Sequence, residues 1–499
     1  MNILQAKEYI KDSINIYLKK DEFGDYRIPV VRQRPIFLIG APGIGKTAIM
    51  EQIAEELGIA LVSYSMTHHT RQSALGLPYI KTKKYKDESY DISEYTMSEI
   101  IASIYETMEE SGVSEGILFL DEINCVSETL APSMLLFLQY KVFGKHKIPE
   151  GWIIVTAGNP PEYNKSVREF DVVTLDRLKV INVEPDYKTW KEYGVEKGLH
   201  NAILNFLELK KDYFYHMETT ASGRSYVTAR GWEDLSEIIS MYEEDSKKVD
   251  ETLVGQYLRN ELIVKEFCAY YDLYNKYKND YRIDDILAGK ATDTAISKAK
   301  AAEFDERLSL LGMLIDKLLS NMKEVVTFSD YLTELMKDLE AVKIAKDTFR
   351  ALNELIEKRK STIIKLEKAN SLSASKKKML KKVIVYLENT KKGLISENII
   401  NEEEAYRYIK KFFALEVEQM KDKAENTSSS LHNLFEFVEK AFEGGNEMLI
   451  LVTELTVNKY SSRYITMFGS EDYHKNNKLL MVSERQAEMK NDIEKLMNN

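Results

Sequence analysis

The residues with the clearest chemical signature lie at positions 40–47 and read Gly-Ala-Pro-Gly-Ile-Gly-Lys-Thr. They fit the pattern G-x-x-x-x-G-K-[ST] without deviation, with an apolar run before them and a helical pattern after them. Glycines in such a loop let backbone N–H groups turn toward phosphate oxygens, because no Cβ is in the way. The pattern predicts a site for ATP and Mg²⁺, with Lys46 on the β- and γ-phosphates and the Thr47 hydroxyl on the metal. The residues expected to touch the cofactor are Gly40, Ala41, Pro42, Gly43, Ile44, Gly45, Lys46, Thr47 and Ala48.

Two adjacent carboxylates, Asp121 and Glu122, follow a second apolar run about 75 residues further along the chain. An apolar strand that ends in acidic residues delivers them to the carboxyl edge of a sheet, where α/β folds bind their ligands. We expect Asp121 to hold the Mg²⁺ shell. Glu122 is then placed to polarise an attacking water as a general base.

A third polar residue, Asn159, ends the strand pattern that begins at Trp152 and precedes two prolines. If this strand lies beside the one ending in Asp121, the Asn159 amide is near the γ-phosphate and can orient the water. The alternative is that Asn159 simply caps a turn.

Five short apolar runs supply the elements that must position these side chains, at residues 35–39, 60–64, 116–120, 152–156 and 180–183. Uninterrupted apolar runs of this length are typical of strands covered on both faces of a parallel sheet, and their alternation with helical patterns predicts an α/β domain. From about residue 186 the strand signals fade. We therefore expect an α/β nucleotide-binding core at 1–185, a helical lid at 186–290 and an all-α C-terminal extension at 291–499.

The C-terminal region shows a helical repeat without a recognisable motif. Between Leu332 and Leu366 apolar residues recur at spacings of three, four or seven, which predicts one long amphipathic helix or coiled-coil arm. Residues 370–375 indicate a turn, and the lysine run 376–378 follows it. We interpret that run as the solvated start of a helix, with contact to an acidic partner as the alternative.

The three motifs together resemble the AAA+ ATPases, and residues 34–230 resemble their MoxR-type branch in particular, with the likeness covering about the first 290 residues. Asp176-Arg177-Leu178 is similar to the Asp-Arg-Phe motif that holds the family's arginine finger, with Leu178 in place of the aromatic residue. Thr228-Ala229-Arg230 is similar to the second sensor, normally Ser-Pro-Arg, with alanine in place of proline. Arg168 and Arg224 are rival candidates for the finger and sensor roles.

The resemblance implies a homo-oligomeric ring, with a hexamer as the expected size, in which Arg177 reaches the γ-phosphate of a neighbouring subunit while Arg230 senses it in its own. It also implies two loops that face a substrate, a helix-2 insert at about 66–93 and a hairpin at about 140–150. The alternative for each loop is a surface loop with no contact role. Proteins of this branch commonly work with a separate von Willebrand A-type partner, and the remodelled protein substrate is not identified by any residue.

Composition sets bounds on these expectations. The chain has 499 residues, which is enough for two or three domains. Its formal net charge of -11 argues against a protein whose main function is to bind nucleic acid. A local basic groove is still compatible with that total. The apolar stretches are far shorter than the roughly 20 residues that cross a bilayer, so no membrane partner and a cytoplasmic location are expected.

The favoured function is therefore an ATP-driven, chaperone-like remodelling ATPase. A nucleic-acid-associated motor, helicase-like or restriction-associated, is the main rival, and stimulation of hydrolysis by DNA or RNA would separate the two. GTP use is not supported, because Val167 stands where the Asn-Lys-x-Asp element that begins at Asn164 needs its aspartate. A nucleotide-gated scaffold with negligible turnover is the third hypothesis.

Overall fold

The computed structural model describes residues 1–68, 74, 76–85, 88–163, 167–220, 223–345, 347–399, 401–443 and 445–478. The chain forms two compact units. The first comprises Met1–Thr189, Thr228–Arg230 and Asn353–Ile384, and the second comprises Trp190–Val227, Gly231–Leu352 and Val385–Asn499.

A five-stranded parallel sheet forms the centre of the first unit, in the order β2-β5-β8-β1-β9. The described residues form three further antiparallel strand pairs: β3 with β4, β6 with β7, and β10 with β11. The strands are β1 (Ile36–Gly40), β2 (Ala60–Ser65), β3 (Pro78–Tyr85), β4 (Glu88–Tyr95), β5 (Gly116–Asp121), β6 (Val142–Phe143), β7 (His146–Lys147), β8 (Trp152–Gly158), β9 (Lys179–Val183), β10 (His216–Thr220) and β11 (Gly223–Val227).

The helices of the described residues follow one another in chain order. They are α1 (Ile3–Tyr17), α2 (Lys46–Leu57), α3 (Glu99–Ser111), α4 (Ala131–Tyr140), α5 (Val172–Leu175), α6 (Tyr187–Lys197), α7 (Asn201–Leu209), α8 (Ala229–Glu244), α9 (Glu251–Tyr257), α10 (Glu261–Tyr281), α11 (Ile283–Leu287), α12 (Asp293–Ala301), α13 (Phe304–Ile344), α14 (Thr348–Lys368), α15 (Ala374–Ser396), α16 (Glu402–Phe442), α17 (Asn446–Val457) and α18 (Lys459–Phe468).

The apolar runs of the sequence become the buried strands of the central sheet. Every residue of β8 is buried, and β5 is buried from Gly116 to Leu120. Apolar side chains of both β5 and β8 belong to one hydrophobic core, together with Phe137 of α4. Since β1, β8 and β5 are neighbours and parallel, the residues that follow them meet at one edge of the sheet.

The second unit is mostly helical. Its two longest helices, α13 and α16, have 41 residues each and pack against one another, with α17 and α18 packed on α13. A parallel sheet followed by a largely helical C-terminal region confirms the predicted fold class.

Two local expectations differ from the structure. The strand pair β10–β11 lies in a region whose strand signal is too short to stand out from its helical surroundings. The single long helix expected between Leu332 and Leu366 is interrupted, because α13 ends at Ile344 and α14 begins at Thr348. The side chain of Asp347 accepts a hydrogen bond from the Arg350 N–H at 2.9 Å, which caps the new helix and explains its restart.

Among the described residues, no helix combines the length and apolar character needed to cross a membrane.

Candidate active site

The loop after β1 has the backbone shape that its glycines predict. Gly43 and Gly45 have φ values of 75° and 94°, in the left-handed region that favours glycine, and α2 begins directly after them at Lys46. A Cβ on Gly40 would lie 2.7 Å from the carbonyl oxygen of Val183 in β9. Because of that contact, no larger residue fits at position 40 without moving the neighbouring strand.

The ammonium group of Lys46 lies inside this loop and is held by three acceptors. It donates to the carbonyl oxygens of Gly40 and Ala41 at 2.7 and 2.9 Å, and to Oδ1 of Asn159 at 2.9 Å. Only 8% of Lys46 is exposed, and this burial lowers its pKa to about 8. The negative charge of Asp121 opposes the shift and the positive charge of Arg230 adds to it.

The two predicted metal ligands lie next to each other. The Thr47 hydroxyl donates to Oδ2 of Asp121 at 3.2 Å. In an octahedral Mg²⁺ shell, ligands at about 2.1 Å from the ion lie about 3 Å from one another when adjacent. The spacing and the oxygen chemistry of both groups therefore fit a shared Mg²⁺ ion, which would bring positive charge against the phosphates of a bound nucleotide.

Glu122 follows β5 in a strained conformation, with φ of 55°. A residue other than glycine in this region costs about 1–3 kcal/mol, and such residues concentrate at functional sites. Its Oε2 atom accepts hydrogen bonds from the hydroxyls of Ser65 and Thr67, both at 3.1 Å. The hydroxyls of Ser65, the last residue of β2, and of Thr67, two residues beyond it, thus hold the carboxylate that is expected to act as the base.

Asn159 is positioned by a second asparagine. The side chain of Asn124 donates from Nδ2 to the carbonyl oxygen of Asn159 at 2.8 Å. Gly158 makes room for this arrangement, because a Cβ there would lie 2.4 Å from Oδ1 of Asn124. The Asn159 amide therefore faces Lys46 rather than serving only as a turn cap, and its contact with Lys46 joins the ends of β8 and β1.

Of the two sensor candidates, Arg230 lies at the loop. The Cβ that glycine lacks at Gly43 would be 3.2 Å from Cβ of Thr228 and 3.5 Å from Cβ of Arg230. Thr228–Arg230 belongs to the first unit, whereas Arg224 lies on β11 in the second. The Arg230 side chain is exposed, and its role as a sensor stays a prediction.

The finger candidate, Arg177, is exposed on the segment between α5 and β9. The guanidinium of its rival Arg168 pairs with Glu128 at 2.6 Å, and the backbone N–H of Arg168 donates to the carbonyl oxygen of Asn124 at 2.9 Å. Which of the two arginines acts as the finger stays a prediction.

Parts of two sequence predictions fall outside the described residues. These are residues 69–73, 75 and 86–87 of the helix-2 insert, and residues 164–166 of the element compared with Asn-Lys-x-Asp. Within the described ranges, no group of three or more His, Cys, Asp or Glu side chains is arranged to hold a metal ion.

Three contacts of the site were not predicted from the sequence: those of Ser65, Thr67 and Asn124. Ser65 had a usable signal, because it is the last residue of a strand that ends at the same edge as Asp121. Asn124 had none, since it acts through Asn159, which it reaches only after the chain has folded.

Comparison with known proteins agrees with this geometry. Residues 36–173 match the family model described as ATPase family associated with various cellular activities (AAA). A search of curated proteins found no match to the chain. Domains of this kind bind nucleotide, typically with Mg²⁺, hydrolyse ATP and typically assemble into rings. The chain therefore carries an ATPase domain of the AAA family.

Proposed function

We propose that this chain is a MoxR-like remodelling ATPase that works as a ring, probes a protein substrate with two neighbouring hairpins, and acts with a separate von Willebrand A-type partner. Hydrolysis would require Glu122 and Asn159 from one subunit and Arg177 from the next, with Arg230 reporting the γ-phosphate to the lid. The nucleotide supplies the energy when bound, and the side chains of this chain hold its phosphates, orient water and accept a proton at Glu122.

The observation that carries this proposal is the contact between the β3–β4 and β6–β7 hairpins. Lys145, at the turn of the second hairpin, pairs with Glu94 of the first and donates to the Tyr79 hydroxyl at 3.3 Å. The ring of His146 lies 3.3 Å from the carbonyl oxygen of Tyr95. The two loops that the family resemblance assigns to substrate contact therefore share one surface.

That surface has the character of a protein-binding rather than a nucleic-acid-binding one. Ile80 is 78% exposed and Tyr85 is 55% exposed, and large apolar and aromatic side chains contribute most to protein interfaces. The charges along the β3–β4 hairpin are balanced, with three lysines on β3 and three acidic residues on β4: Lys81, Lys83, Lys84, Glu88, Asp91 and Glu94. A motor that draws a nucleic acid past this hairpin would need a net positive track.

The catalytic assignment is tested by Glu122→Gln, which keeps the side-chain volume and removes the base. We expect this variant to bind ATP, to accumulate as a nucleotide-bound ring in light scattering, and to hydrolyse ATP at least a hundredfold more slowly. Undiminished hydrolysis would overturn the assignment of Glu122.

The remodelling assignment is tested by a double variant at the hairpin, Ile80→Ser with Tyr85→Ser. Both side chains are exposed, so the fold and basal hydrolysis should be unchanged. Stimulation of hydrolysis by an unfolded protein such as casein should be lost. Equal stimulation of the variant and the parent chain would contradict a role for this surface in substrate contact.

A further inference from the structure

The positive charge of the chain is concentrated in one part of the first unit. Residues 353–384, which we call the basic segment, contain ten lysine or arginine residues and three glutamates, a formal charge of +7 in a chain whose total is -11. The segment comprises the end of α14, a turn and the beginning of α15. Such a concentration marks a surface for a polyanion.

Several of these lysines lie on exposed helix faces. In α14, Lys358, Lys365 and Lys368 are exposed and are separated by seven and three residues, so they follow one face over about 15 Å. In α15, Lys378 and Lys381 are exposed and three residues apart, which again places them on one face. Two of the three glutamates of the segment engage other positions, with Glu357 on Lys360 at 3.7 Å and Glu367 on Lys377 at 2.5 Å. Of the lysines on the exposed faces, Lys368 pairs with Glu110 of α3 at 3.7 Å.

The residue types favour a phosphate backbone over an acidic protein or a membrane. Nine of the ten cations are lysine, which is depleted at protein interfaces but serves as a point charge on phosphates. The apolar residues Ile356, Ile363, Leu380 and Val383 are buried and Ile364 is exposed, and one exposed side chain does not form an apolar stripe that could enter a bilayer. The segment has no aromatic residue to stack on unpaired bases, which favours a duplex over a single strand.

The turn of the basic segment is bonded to the edge strand of the central sheet. The backbone N–H of Leu61 in β2 donates to the carbonyl oxygen of Ala369 at 2.9 Å, and Nδ2 of Asn370 donates to the carbonyl oxygen of Leu61 at 3.1 Å. Ala369 is fully buried in the same core as Ala60 and Val62 of that strand. The turn therefore moves with β2 rather than lying loosely on it.

Both elements that the turn contacts lead into the active site. Beyond Leu61, β2 ends at Ser65, whose hydroxyl is one of the two that hold Glu122. The hydroxyl of Ser373 donates to Glu55 at 2.8 Å, and Glu55 lies on α2, the helix that begins at Lys46. The turn is thus connected through β2 to a hydroxyl that holds the carboxylate of Glu122.

From these contacts we infer that the basic segment binds the phosphate backbone of a nucleic-acid duplex, and that this binding accelerates ATP hydrolysis by loosening the hold of β2 on Glu122. The binding is independent of sequence, because it uses lysines and no base-reading side chain. It goes beyond the remodelling function, since the duplex is held at the basic segment and is not drawn along the hairpins.

The binding is tested with a fluorescent DNA duplex of about 30 base pairs, followed by anisotropy over a range of salt concentrations. The test variant replaces four exposed lysines, Lys358, Lys365, Lys378 and Lys381, with alanine. The matched control replaces four exposed lysines outside the segment, Lys265, Lys276, Lys410 and Lys421, and so has the same net charge.

We expect the parent chain and the control to bind the duplex, and the test variant to bind at least tenfold more weakly. The salt dependence of log K should become shallower by about 0.9 for each lysine that contacts a phosphate. An RNA duplex should bind as DNA does, whereas a single strand should bind less well. Equal binding by the test variant and the control would overturn the inference, as would poly-glutamate of equal charge binding as tightly as the duplex.

The link to hydrolysis is tested separately with Asn370→Gly. Asn370 has φ of 49°, which glycine adopts without strain, so the change removes the bond to Leu61 and preserves the turn. We expect unchanged duplex binding and unchanged basal hydrolysis, with the duplex-dependent rise in kcat reduced at least twofold. A duplex that binds the parent chain without changing kcat would refute the link, and so would a full response in this variant. Casein stimulation in the same preparations reports on the hairpin function independently.

Discussion

The lowered pKa of Lys46 predicts that nucleotide affinity depends on pH in a range where an ordinary lysine stays protonated. Burial holds the pKa of this group at about 8, compared with an ordinary value of 10.5. Phosphates bind the charged form, which is present below the folded pKa and is lost as pH rises through it. If only the charged form binds, the association constant should fall about 25-fold between pH 7.5 and pH 9.5, whereas a pKa of 10.5 would give a change of about 10%.

The assay is isothermal titration of ATP and Mg²⁺ into the Glu122→Gln protein, which prevents turnover during the measurement. Titrations at about pH 8.5 in buffers of different ionisation enthalpy should reveal uptake of about 0.8 proton on binding. Lys46→Arg is the matched control, because a guanidinium keeps its charge throughout this range and its affinity should be flat above pH 7.5. A constant affinity for the parent chain up to pH 9.5, with no proton uptake, would show that burial does not depress the pKa of Lys46.

The lowered pKa of Lys46 also affects the stability of the nucleotide-free protein. Its contribution to stability rises with pH, whereas nucleotide affinity falls. Between pH 8 and 10.5 the unfolded chain binds more protons at Lys46 than the folded chain, so this group makes the protein more stable as pH rises. Lys46→Met removes the titrating group. The difference in free energy of unfolding between this variant and the parent chain should therefore change across that window by up to about 3 kcal/mol.

Three further perturbations have expected outcomes. Replacing Ser65 with alanine and Thr67 with valine frees the catalytic carboxylate from both hydroxyls, so basal hydrolysis should rise several-fold in steady-state assays; a fall would mean that these bonds position the base instead. Gly158→Ala drives a Cβ into Asn124, so kcat should fall at least tenfold and the melting temperature by several degrees, whereas retention of both would contradict the contact. Arg177→Ala should be inactive alone, and its mixture with the Glu122→Gln chain should regain part of the activity. The reason is that a mixed interface can contain one intact base and one intact finger. No recovery of activity in preformed mixed rings would argue against a site shared between subunits.

The sequence predicted the sheet and the residues at its carboxyl edge because both signals are local. A buried parallel strand is an uninterrupted apolar run, and a phosphate loop needs its glycines at fixed spacing around Lys46. The chain positions of Asp121 and Asn159 then follow from the single rule that parallel strands end at the same edge. Their proximity to Lys46 depended in addition on β8 lying between β5 and β1, which the sequence left as a condition.

Contacts that depend on strand order and on distant segments could not be predicted in this way. Ser65 meets Glu122 because β2 pairs with β5; the sequence could show that both strands end at one edge, but not that they are neighbours. The bond between Leu61 and Ala369 joins backbone groups 308 positions apart in the chain, and any residue type other than proline can donate such a bond. The break between α13 and α14 falls within a continuous apolar repeat, where a single capping aspartate outweighs the pattern.

The negative net charge of the whole chain can hide a local surface of positive charge. A total of -11 argues against a nucleic-acid-binding protein only if the charges act together, yet at physiological salt a charge is screened beyond about 8 Å. The basic segment is longer than that distance, since its lysine face on α14 alone extends over about 15 Å. The local charge of +7, rather than the total of -11, is therefore what a phosphate backbone on that face would meet first. Because the turn of this segment is bonded to β2, and the last residue of β2 holds Glu122, the segment is connected through that strand to the carboxylate that we propose as the base.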